Sequence, residues 1–421
     1  MFKFLHTADI HLDSPLKGLE AHEDAPVEEI RGATRRAFDN LIDLALEEKV
    51  DFVLIAGDLY DGDWKDYNTG LFFAGRMGRL SKAGIKVFIV SGNHDAASQI
   101  TRAMPLPDNV LLFSPGKTQS LKLDDFGAII HGRSYPSRSV TNNLAARFPQ
   151  YEAGYFNIGL LHTSLTGREG HENYAPCTVD ELKSKGYDYW ALGHVHKREI
   201  VSEDPWIVFP GNIQGRHIRE TGAKGATLVT VEEGRITVVE ERELDIMRWA
   251  VCRVDLSECR TREEVYEQVR FSMEKELGPA EGRPLALRLW LEGQCSLHDE
   301  LRARSGQWTK EFHGLAAGLG EVWLEKVKFR TGRKVGMEEL LDEDSPFRGL
   351  LRAVEDLELE GKELPALAPD LAALKTRLPA ELLDEDSIFA GRPERLAELR
   401  EEVKELLLAV LSVRYGKKDD E

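Results

Sequence analysis

The chain has 421 residues and a formal net charge of −18 at pH 7, with 42% hydrophobic and 30% charged residues. This length supports two or three domains with large buried cores. No apolar run approaches the roughly 20 residues that span a bilayer, and the start, MFKFLHTADIHLDS, turns polar too early for a signal peptide. The four cysteines form no CxxC pair, which argues against a disulfide framework or zinc ribbon and predicts a reducing, cytoplasmic setting.

Strand and helix signals alternate through the first 245 residues. The strand pattern FKFLHTADI precedes the helical periodicity of IRGATRRAFDNLIDLALEEKV, and the buried strand DFVLIAGD precedes the helix YNTGLFFAGRMGRLSKAG. Later apolar runs are KVFIV, FGAIIHG, FNIGLLHT and YDYWALGH, and from about residue 198 the strand patterns become shorter. The alternation predicts a layered α/β domain with an antiparallel part.

Two further regions follow this domain. Residues 249–331 have a β-α-β-α-β pattern, which predicts a second, small α+β domain. Residues 336–421 are mostly helical in pattern and acidic, with 12 basic and 23 acidic residues. Within them, residues 392–414 form a helix candidate with one apolar stripe, which either packs on its own domain or binds the helices of a partner. The predicted boundaries are therefore 1–247, 248–335 and 336–421.

Five short polar clusters stand where predicted strands end. In open α/β sheets, sites form in the crevice beyond the carboxyl ends of the strands, so all five are candidates for one crevice. A lone histidine after a strand is more often structural than functional, and a lone aspartate often caps a helix. Five such clusters in chain order favour a shared site. The clusters are Asp9-x-His11, Gly57-Asp58, Gly92-Asn93-His94-Asp95, His162 and Gly193-His194-x-His196.

The side chains of these clusters offer oxygen and nitrogen donors without thiolates. Such a set suits Mn, Fe or Zn and is richer in nitrogen than a typical Mg or Ca site. It has too many donors for one ion and enough for two. Two ions about 3.5–4 Å apart can clamp a phosphoryl group for in-line attack. Asp58 is the natural bridge, because a carboxylate can share its two oxygens.

These motifs resemble the calcineurin-like metallophosphoesterase superfamily over about residues 1–245. The flanking runs HTADIHLDSPLKGL, LIAGDLYD, VSGNHD, YWALGHVHKRE and PGNIQGRHIRE are similar to DNA repair exonucleases of the SbcD and YhaO type. The resemblance implies a layered β-sandwich flanked by helices, followed by an α+β capping domain and a helical tail. It also implies two divalent metal ions, with Mn²⁺ the first choice and Fe²⁺, Zn²⁺ or Mg²⁺ as alternatives.

The resemblance further implies a role for each motif residue. His94 would stay free of metal, stabilising charge in the transition state or protonating the leaving oxygen. Asp95 would orient His94, as carboxylates commonly orient imidazoles. The implied metal ligands are Asp9, His11 and His196 for one ion, Asn93, His162 and His194 for the other, and Asp58 as the bridge.

One position departs from the pattern of the archaeal and eukaryotic nucleases of this group. They carry a histidine three residues after the bridging aspartate, where this sequence has Asp61 in GDLYDGD. Bacterial SbcD-like members resemble the sequence in this respect. The departure leaves the balance of exonuclease and endonuclease action open.

Six residues near the motifs are weaker candidates for binding substrate. Each follows a predicted strand or a predicted ligand, and each equally fits a structural or surface position. The candidates are Arg133, His171, Tyr174, Gln214, Arg216 and His217.

The acidic charge argues against nucleic-acid binding, because lysine and arginine make the phosphate contacts. Basic residues after the last predicted ligands, from Lys197 to Lys224, offer a local rim that would answer part of this objection. We expect a metal-dependent phosphodiesterase acting on double-stranded DNA ends, an exonuclease or end-processing subunit in DNA repair. Two alternatives stay open: a phosphoesterase for a small molecule or phosphoprotein, and a mainly architectural subunit that binds DNA ends and an ATPase.

Partners follow from the resemblance alone. The chain has no GxxxxGK[ST] run, so any use of ATP requires another protein. The resemblance implies a separate SbcC-like coiled-coil ATPase and a homodimer, and no membrane partner is expected.

Overall fold

The computed structural model describes residues 1–14, 32–61, 67–97, 106–166 and 174–334, together with Leu406. The chain divides into two compact units. The first comprises Met1–Ala250, Leu277–Leu287 and Glu321–Glu325, and the second comprises Val251–Glu276, Arg288–Gly320 and Lys326–Glu421. The predicted acidic tail and its apolar helix candidate lie outside the described residues, apart from Leu406, which is helical and exposed.

Twelve strands and four helices belong to the first 243 residues, among those described. The strands are β1 (Phe2–Thr7), β2 (Phe52–Ala56), β3 (Lys86–Val90), β4 (Val110–Leu112), β5 (Gln119–Leu123), β6 (Ala128–Arg133), β7 (Phe156–His162), β8 (Tyr189–Gly193), β9 (Glu199–Glu203), β10 (Trp206–Phe209), β11 (Gly225–Glu232) and β12 (Arg235–Glu243). The helices are α1 (Ala33–Glu47), α2 (Tyr67–Lys82), α3 (Asn93–Ala97) and α4 (Val179–Lys183). Of these elements, β4, β5, α3 and α4 were not predicted, because β4 and β5 lack a continuous buried apolar run and each of the two helices has only five residues.

The strands form two six-stranded sheets. One has the order β12-β11-β1-β2-β3-β4 and the other β5-β6-β7-β8-β10-β9. In the first sheet β1 to β4 are parallel, while β11 pairs antiparallel with β1 and with β12. In the second sheet β6, β7, β8 and β10 are parallel, and β5 and β9 are antiparallel edges. The central strands of each sheet are therefore parallel, and their carboxyl ends lie at the same edge of that sheet.

The main core lies between the two sheets and is rich in aromatic rings. Phe4 and Phe52 stack with centroids 5.2 Å apart, and Tyr189 of the other sheet meets Phe4 edge-on at 5.2 Å. All three side chains are fully buried. Such aromatic pairs add about 0.5–1.5 kcal/mol each beyond the burial of their area. This interlayer packing fixes the two sheets relative to one another, and with them the loops at the strand ends.

Helices cover the outer face of the first sheet. The buried positions of α1, from Ala33 through Phe38 and Leu41 to Ala45, recur at helical spacing and pack with Val53 and Ile55. Every residue of β2 is buried, as expected for a parallel strand covered on both faces. The outer face of the second sheet is covered by loops, a 3₁₀ turn and α4, whose Leu182 packs in a separate cluster with Trp190.

Residues 244–334 contain three strands and three helices. A three-stranded sheet has the order β13-β14-β15. The second helix of the predicted β-α-β-α-β pattern is divided at Arg304 (φ −117°, ψ 28°), which gives a β-α-β-α-α-β order. The elements are β13 (Arg248–Asp255), α5 (Arg262–Ala280), β14 (Leu285–Cys295), α6 (His298–Ala303), α7 (Ser305–Gly318) and β15 (Val322–Arg333).

The predicted fold class is confirmed: the structure is a mixed α/β fold with sheets flanked by helices. Among the described residues, no helix combines the length and apolar character needed to cross a bilayer.

Candidate metal centre

The predicted polar clusters come together at the carboxyl ends of strands from both sheets. Asp9 follows β1, Asp58 follows β2 and Asn93 follows β3, all in the first sheet. His162 ends β7 and His194 follows β8 in the second sheet. Residues distant in sequence therefore meet because the sandwich places these five strand ends side by side.

Four of the predicted ligands have a left-handed backbone. The φ angles are 50° at Asp9, 45° at His11, 51° at Asp58 and 102° at His194. Non-glycine residues rarely adopt such angles, which cost on the order of 1–3 kcal/mol each. Backbone hydrogen bonds hold the conformation, since Asp9 N–H donates to Gly57 O and His11 N–H to Asp58 O, both at 3.0 Å. The strain coincides with the predicted site, which is where functional constraint is expected.

The glycines of the motifs are required by close approach. A Cβ on Gly92 would lie 2.2 Å from Asp58 Oδ1, and one on Gly57 would lie 2.4 Å from His162 Nδ1. Gly57 also has φ 96°, a value that glycine adopts at little cost. Any larger residue would displace a predicted ligand, which explains the Gly-Asp and Gly-Asn pairs as packing requirements.

Two groups of donor atoms converge, one on each side of Asp58. On one side His11 Nε2 lies 3.4 Å from His196 Nε2, which lies 3.8 Å from an oxygen of Asp9. On the other side His162 Nε2 lies 3.0 Å from Asn93 Oδ1 and 3.5 Å from Asp58 Oδ2.

In the described part of the chain, three sets of side chains have ligand atoms within 4.8 Å of one another. They are Asp9 with His11 and His196, Asp9 with Asp58 and His162, and His11 with Asp58 and His94. Of the predicted histidine and carboxylate ligands among the described residues, only His194 is outside these sets. Its backbone N–H donates to Asp9 Oδ2 at 3.0 Å, and its ring centroid lies 5.2 Å from that of His162.

Hydrogen bonds to Nδ1 orient two of the imidazoles toward the centre. His162 Nδ1 donates to Ala56 O at 2.8 Å, and His196 Nδ1 lies 2.6 Å from Glu220 Oε1. Glu220 is itself held by the amide of Asn212 at 2.9 Å and the backbone N–H of Arg216 at 2.7 Å. A partner on Nδ1 leaves Nε2 as the metal-binding atom, and metal-ligating histidines usually have such a partner.

The charges at the centre favour a cation. Burial raises the pKa of Asp9. Burial would also raise the pKa of Asp58, but the imidazoles, His162 foremost, lower it well below its usual range. Burial would lower the pKa of His162, yet the carboxylates of Asp58 and Asp9 raise it to about 9. Protons on imidazoles thus balance the carboxylates, and a metal ion would displace those protons. Two buried carboxylates among imidazoles fit divalent ions, and the centre has enough donors for two of them.

His94 lies beside the centre but is oriented by a different residue from the one predicted. Its Nδ1 lies 2.8 Å from Asp61 Oδ1, whereas both carboxylate oxygens of Asp95 accept backbone N–H groups, from Tyr60 at 2.9 Å and Gly92 at 3.1 Å. The prediction that Asp95 orients His94 is therefore wrong. Asp95 fixes the backbone turn instead, and burial with the charge of Asp58 raises its pKa to about 6.

Asp61 is the centre of a small polar network. Its Oδ2 accepts from the Ser14 hydroxyl at 2.7 Å and lies 3.7 Å from Arg216 Nη1. Burial would raise the pKa of Asp61, but the hydrogen bond to His94 and the nearby His11 and Arg216 lower it. Burial and Arg216 would lower the pKa of His94, but the hydrogen bond to Asp61 and the charges of Asp58 and Asp61 raise it. The pair therefore favours a protonated imidazole at the edge of the metal centre.

Of the predicted substrate-binding residues, some lie at the metal centre and others do not. Arg216 lies at the centre, 3.4 Å from His196 Nδ1, and Tyr174 meets His194 edge-on with ring centroids 5.7 Å apart. Gln214 is buried, with Oε1 accepting from Ile246 N–H and Nε2 donating to Met247 O, which contradicts the predicted substrate contact.

The other three predicted substrate-binding residues differ in where they lie. His217 Nε2 lies 3.4 Å from Glu220 Oε1, which attaches it to the network behind His196. Arg133 is buried at the end of β6, where burial and the charge of Arg147 lower its pKa. His171 lies outside the described residues.

The basic rim is weaker than expected. Lys224 is buried and donates to His196 O at 2.8 Å, and Arg198 lies 3.6 Å from Glu241 Oε2. Sequence reasoning missed Glu220 as the partner of His196. The signal available was a lone glutamate in the run GRHIRE, which nothing in the sequence connects to a histidine 24 residues earlier.

Comparisons with known proteins define the class. Residues 2–198 match the protein family described as "Calcineurin-like phosphoesterase". Residues 249–332 match the family described as "Metallophosphoesterase YhaO, middle domain". The chain belongs to the calcineurin-like metallophosphoesterases, which supports a metal-dependent phosphoesterase. It is 38% identical over 294 residues to the uncharacterized metallophosphoesterase YhaO of Bacillus subtilis (strain 168), covering 69% of this chain and 71% of that protein.

More distant similarities extend the comparison. The chain is 25% identical over 308 residues to the DNA double-strand break repair protein Mre11 of Sulfurisphaera tokodaii, covering 69% of this chain and 74% of that protein. A crystal structure of a dimetal phosphatase from Danio rerio aligns with a TM-score of 0.35 and 12% identity, over 58% of this chain and 96% of the other.

Proposed function

We propose that the protein is a metal-dependent phosphodiesterase that cleaves double-stranded DNA from its ends, as an exonuclease or end-processing subunit in DNA repair. The observation that supports DNA as the substrate is the similarity to the repair protein Mre11 over 74% of that relative. The metal ligands alone are common to enzymes for many phosphate esters and do not select among them.

Each side chain of the centre then has a role. Asp9, His11 and His196 would hold one divalent ion, Asn93, His162 and His194 the other, and Asp58 would contact both. When bound, the ions supply positive charge to the phosphate oxygens and activate water. Glu220 keeps His196 in the orientation that presents Nε2, through the 2.6 Å contact to Nδ1. We expect Mn²⁺ as the native metal, given the mixed oxygen and nitrogen donors.

His94 would deliver a proton to the leaving oxygen. It is partly exposed, so substrate can reach it, whereas Asp58 beside it is buried. The 2.8 Å contact to Asp61 engages Nδ1 and leaves Nε2 for the substrate. The contact with Asp61 raises the pKa of His94 against the effect of burial, which favours the protonated form that a general acid requires.

The assembly is also part of the proposal. Partners would be a separate coiled-coil ATPase of the SbcC kind and a second copy of the chain, as the resemblance of the sequence motifs to SbcD-type nucleases implies. Four buried free cysteines fit the reducing setting of the cytoplasm.

The test uses the full-length protein loaded with Mn²⁺, given linear duplex DNA, the same duplex closed into a circle, and bis(p-nitrophenyl) phosphate. We expect digestion of the linear duplex, protection of the circle, and a 10²–10⁴-fold loss on linear DNA in His94→Ala with metal content unchanged. Equal cleavage of the circular and the linear duplex would refute a requirement for DNA ends.

A phosphoesterase for small molecules is the second candidate. The net charge of −18 and the engagement of Lys224 and Arg198 within the protein favour it over DNA. Turnover of the small diester with both DNA forms intact would select this function and reject the first.

A further inference from the structure

A tyrosine next to the metal centre has not been assigned a role by the motifs. Tyr135 follows β6, and its backbone N–H donates to Ser91 O at 3.0 Å. The neighbouring Ser134 hydroxyl accepts from Ser91 N–H at 2.9 Å and donates to Phe113 O at 2.5 Å. These bonds attach Tyr135 to the loop that carries Asn93 and His94, so its position is fixed relative to the centre.

The phenol ring lies against a predicted metal ligand. Tyr135 is 2% exposed, and its ring meets that of His162 edge-on with centroids 5.4 Å apart. Burial raises the pKa of Tyr135 well above its usual value, and the charge of Asp58 and, less strongly, of Asp9 adds to the shift. The ring of Tyr135 therefore packs directly on the side of the centre that holds His162.

Among the described residues, the hydroxyl of Tyr135 has no hydrogen-bond partner, although it is buried. Other buried tyrosines satisfy theirs: Tyr187 donates to Pro149 O at 2.8 Å, and the Tyr189 hydroxyl lies 2.9 Å from His6 Nδ1. Buried polar groups are nearly always paired, and an unpaired one in a native protein indicates a missing ligand, ion or water. A phenol hydroxyl is a hydrogen-bond donor at neutral pH, so beside a site for anionic phosphate it is suited to donate to an oxygen.

We infer that Tyr135 is a substrate-binding residue whose hydroxyl donates a hydrogen bond to a phosphoryl oxygen held at the centre, on the side of His162. The inference rests on phosphoester chemistry, which the family supports, and not on DNA as the substrate. The tyrosine hydroxyl would bind the phosphoryl group, which every phosphate ester has. Free phosphate should therefore occupy the same position as the phosphate of a substrate.

The test compares Tyr135→Phe with Tyr187→Phe in the full-length protein. Tyr187 is the matched control, because it is equally buried and loses a hydroxyl that donates to backbone rather than to a ligand. Three quantities are measured: bound Mn²⁺ by mass spectrometry, the Kd of inorganic phosphate for the Mn²⁺-loaded protein by calorimetry, and the Tm of the metal-free protein.

In Tyr135→Phe we expect unchanged Mn²⁺ content, phosphate binding weakened about tenfold or more, and a Tm that does not fall. In Tyr187→Phe we expect a lower Tm and a phosphate Kd within twofold of wild type. Phosphate binding within twofold of wild type in Tyr135→Phe would overturn the inference. Loss of Mn²⁺ or a lower Tm in that variant would also overturn it, because the hydroxyl would then act on the protein itself. Since no DNA is used, failure on DNA leaves this result unaffected.

Discussion

The two sides of the metal centre are held by different means. His162 is fully buried, and its Nδ1 donates to the backbone carbonyl of Ala56 on β2. His196 is 22% exposed, and its Nδ1 is held by the side chain of Glu220. Any residue at position 56 supplies a carbonyl, whereas one substitution removes Glu220. The orientation of His162, which depends on strand backbone, is therefore protected against mutation of its partner. The orientation of His196, which depends on a loop side chain, can be changed by one substitution.

The largest expected effect comes from the residue that both sides share. Asp58 lies 3.5 Å from His162 Nε2 and 4.0 Å from His11 Nε2. Asp58→Asn removes the carboxylate charge, and we expect Mn²⁺ loss from both sides and a fall in phosphodiesterase activity of at least about 10³-fold. Metal content is measured after dialysis. Retention of two ions per chain would show that Asp58 does not join the two sides.

A smaller loss is expected at the pair beside the metals. Asp61→Asn removes the charge that raises the pKa of His94, so the imidazole should be a poorer proton donor. We expect about a 10²-fold fall in kcat on esters with poor leaving groups and a smaller fall on p-nitrophenyl esters, which need little proton donation. Equal losses on both esters would argue against proton transfer by His94. Asp95→Asn, which alters a carboxylate that binds only backbone, is the matched control.

The contrast between the two sides predicts an unequal response in metal affinity. Glu220→Gln keeps the shape of the side chain but loses the charge next to His196. Removing such a partner typically costs 10–100-fold in metal affinity, and we expect the loss for one of two ions only. A calorimetric titration with Mn²⁺ should show one weakened and one unchanged site. Two equally weakened sites would contradict independent support of the two sides.

The smallest expected effect is on stability and comes from a histidine that belongs to neither side. His6 on β1 lies between the Tyr189 hydroxyl at 2.9 Å and Leu192 O at 3.1 Å, and burial lowers its pKa to about 3. The unfolded chain binds a proton on this residue below about pH 6.5, whereas the folded protein stays neutral there. Stability is therefore complete above that pH and falls as the pH drops from 6.5 toward 3.

The slope attributable to His6 is about 1.4 kcal/mol per pH unit within this window. In the metal-free protein, His6→Gln should reduce the pH dependence of the free energy of unfolding by about that amount. Urea unfolding at pH 6 and pH 5 measures the difference. An unchanged slope would mean that His6 is charged in the folded state.

The sequence was most informative where strands end in polar residues. Asp9, Asp58 and Asn93 each follow a long buried run, so both the strand and the turn were readable before the structure. The strand β4 was missed because none of its three residues is fully buried, and α3 was missed because its five residues, NHDAA, show no helical periodicity. The assignment of Asp95 failed for a physical reason: adjacency in the chain does not bring side chains together, and at the start of α3 its carboxylate turns back to the backbone.

By itself the sequence determined the alternation of strands and helices, the family, and the residue types available for metal. These are local properties, which hydrophobic periodicity and short motifs are sufficient to indicate. Only the tertiary structure decided which carboxylate orients His94, that Glu220 supports His196, and that Gln214 is part of the core. Such pairings depend on contacts between residues from 24 to 185 positions apart, as between His11 and His196. Their partners are selected by the packing of two sheets, which no local pattern encodes.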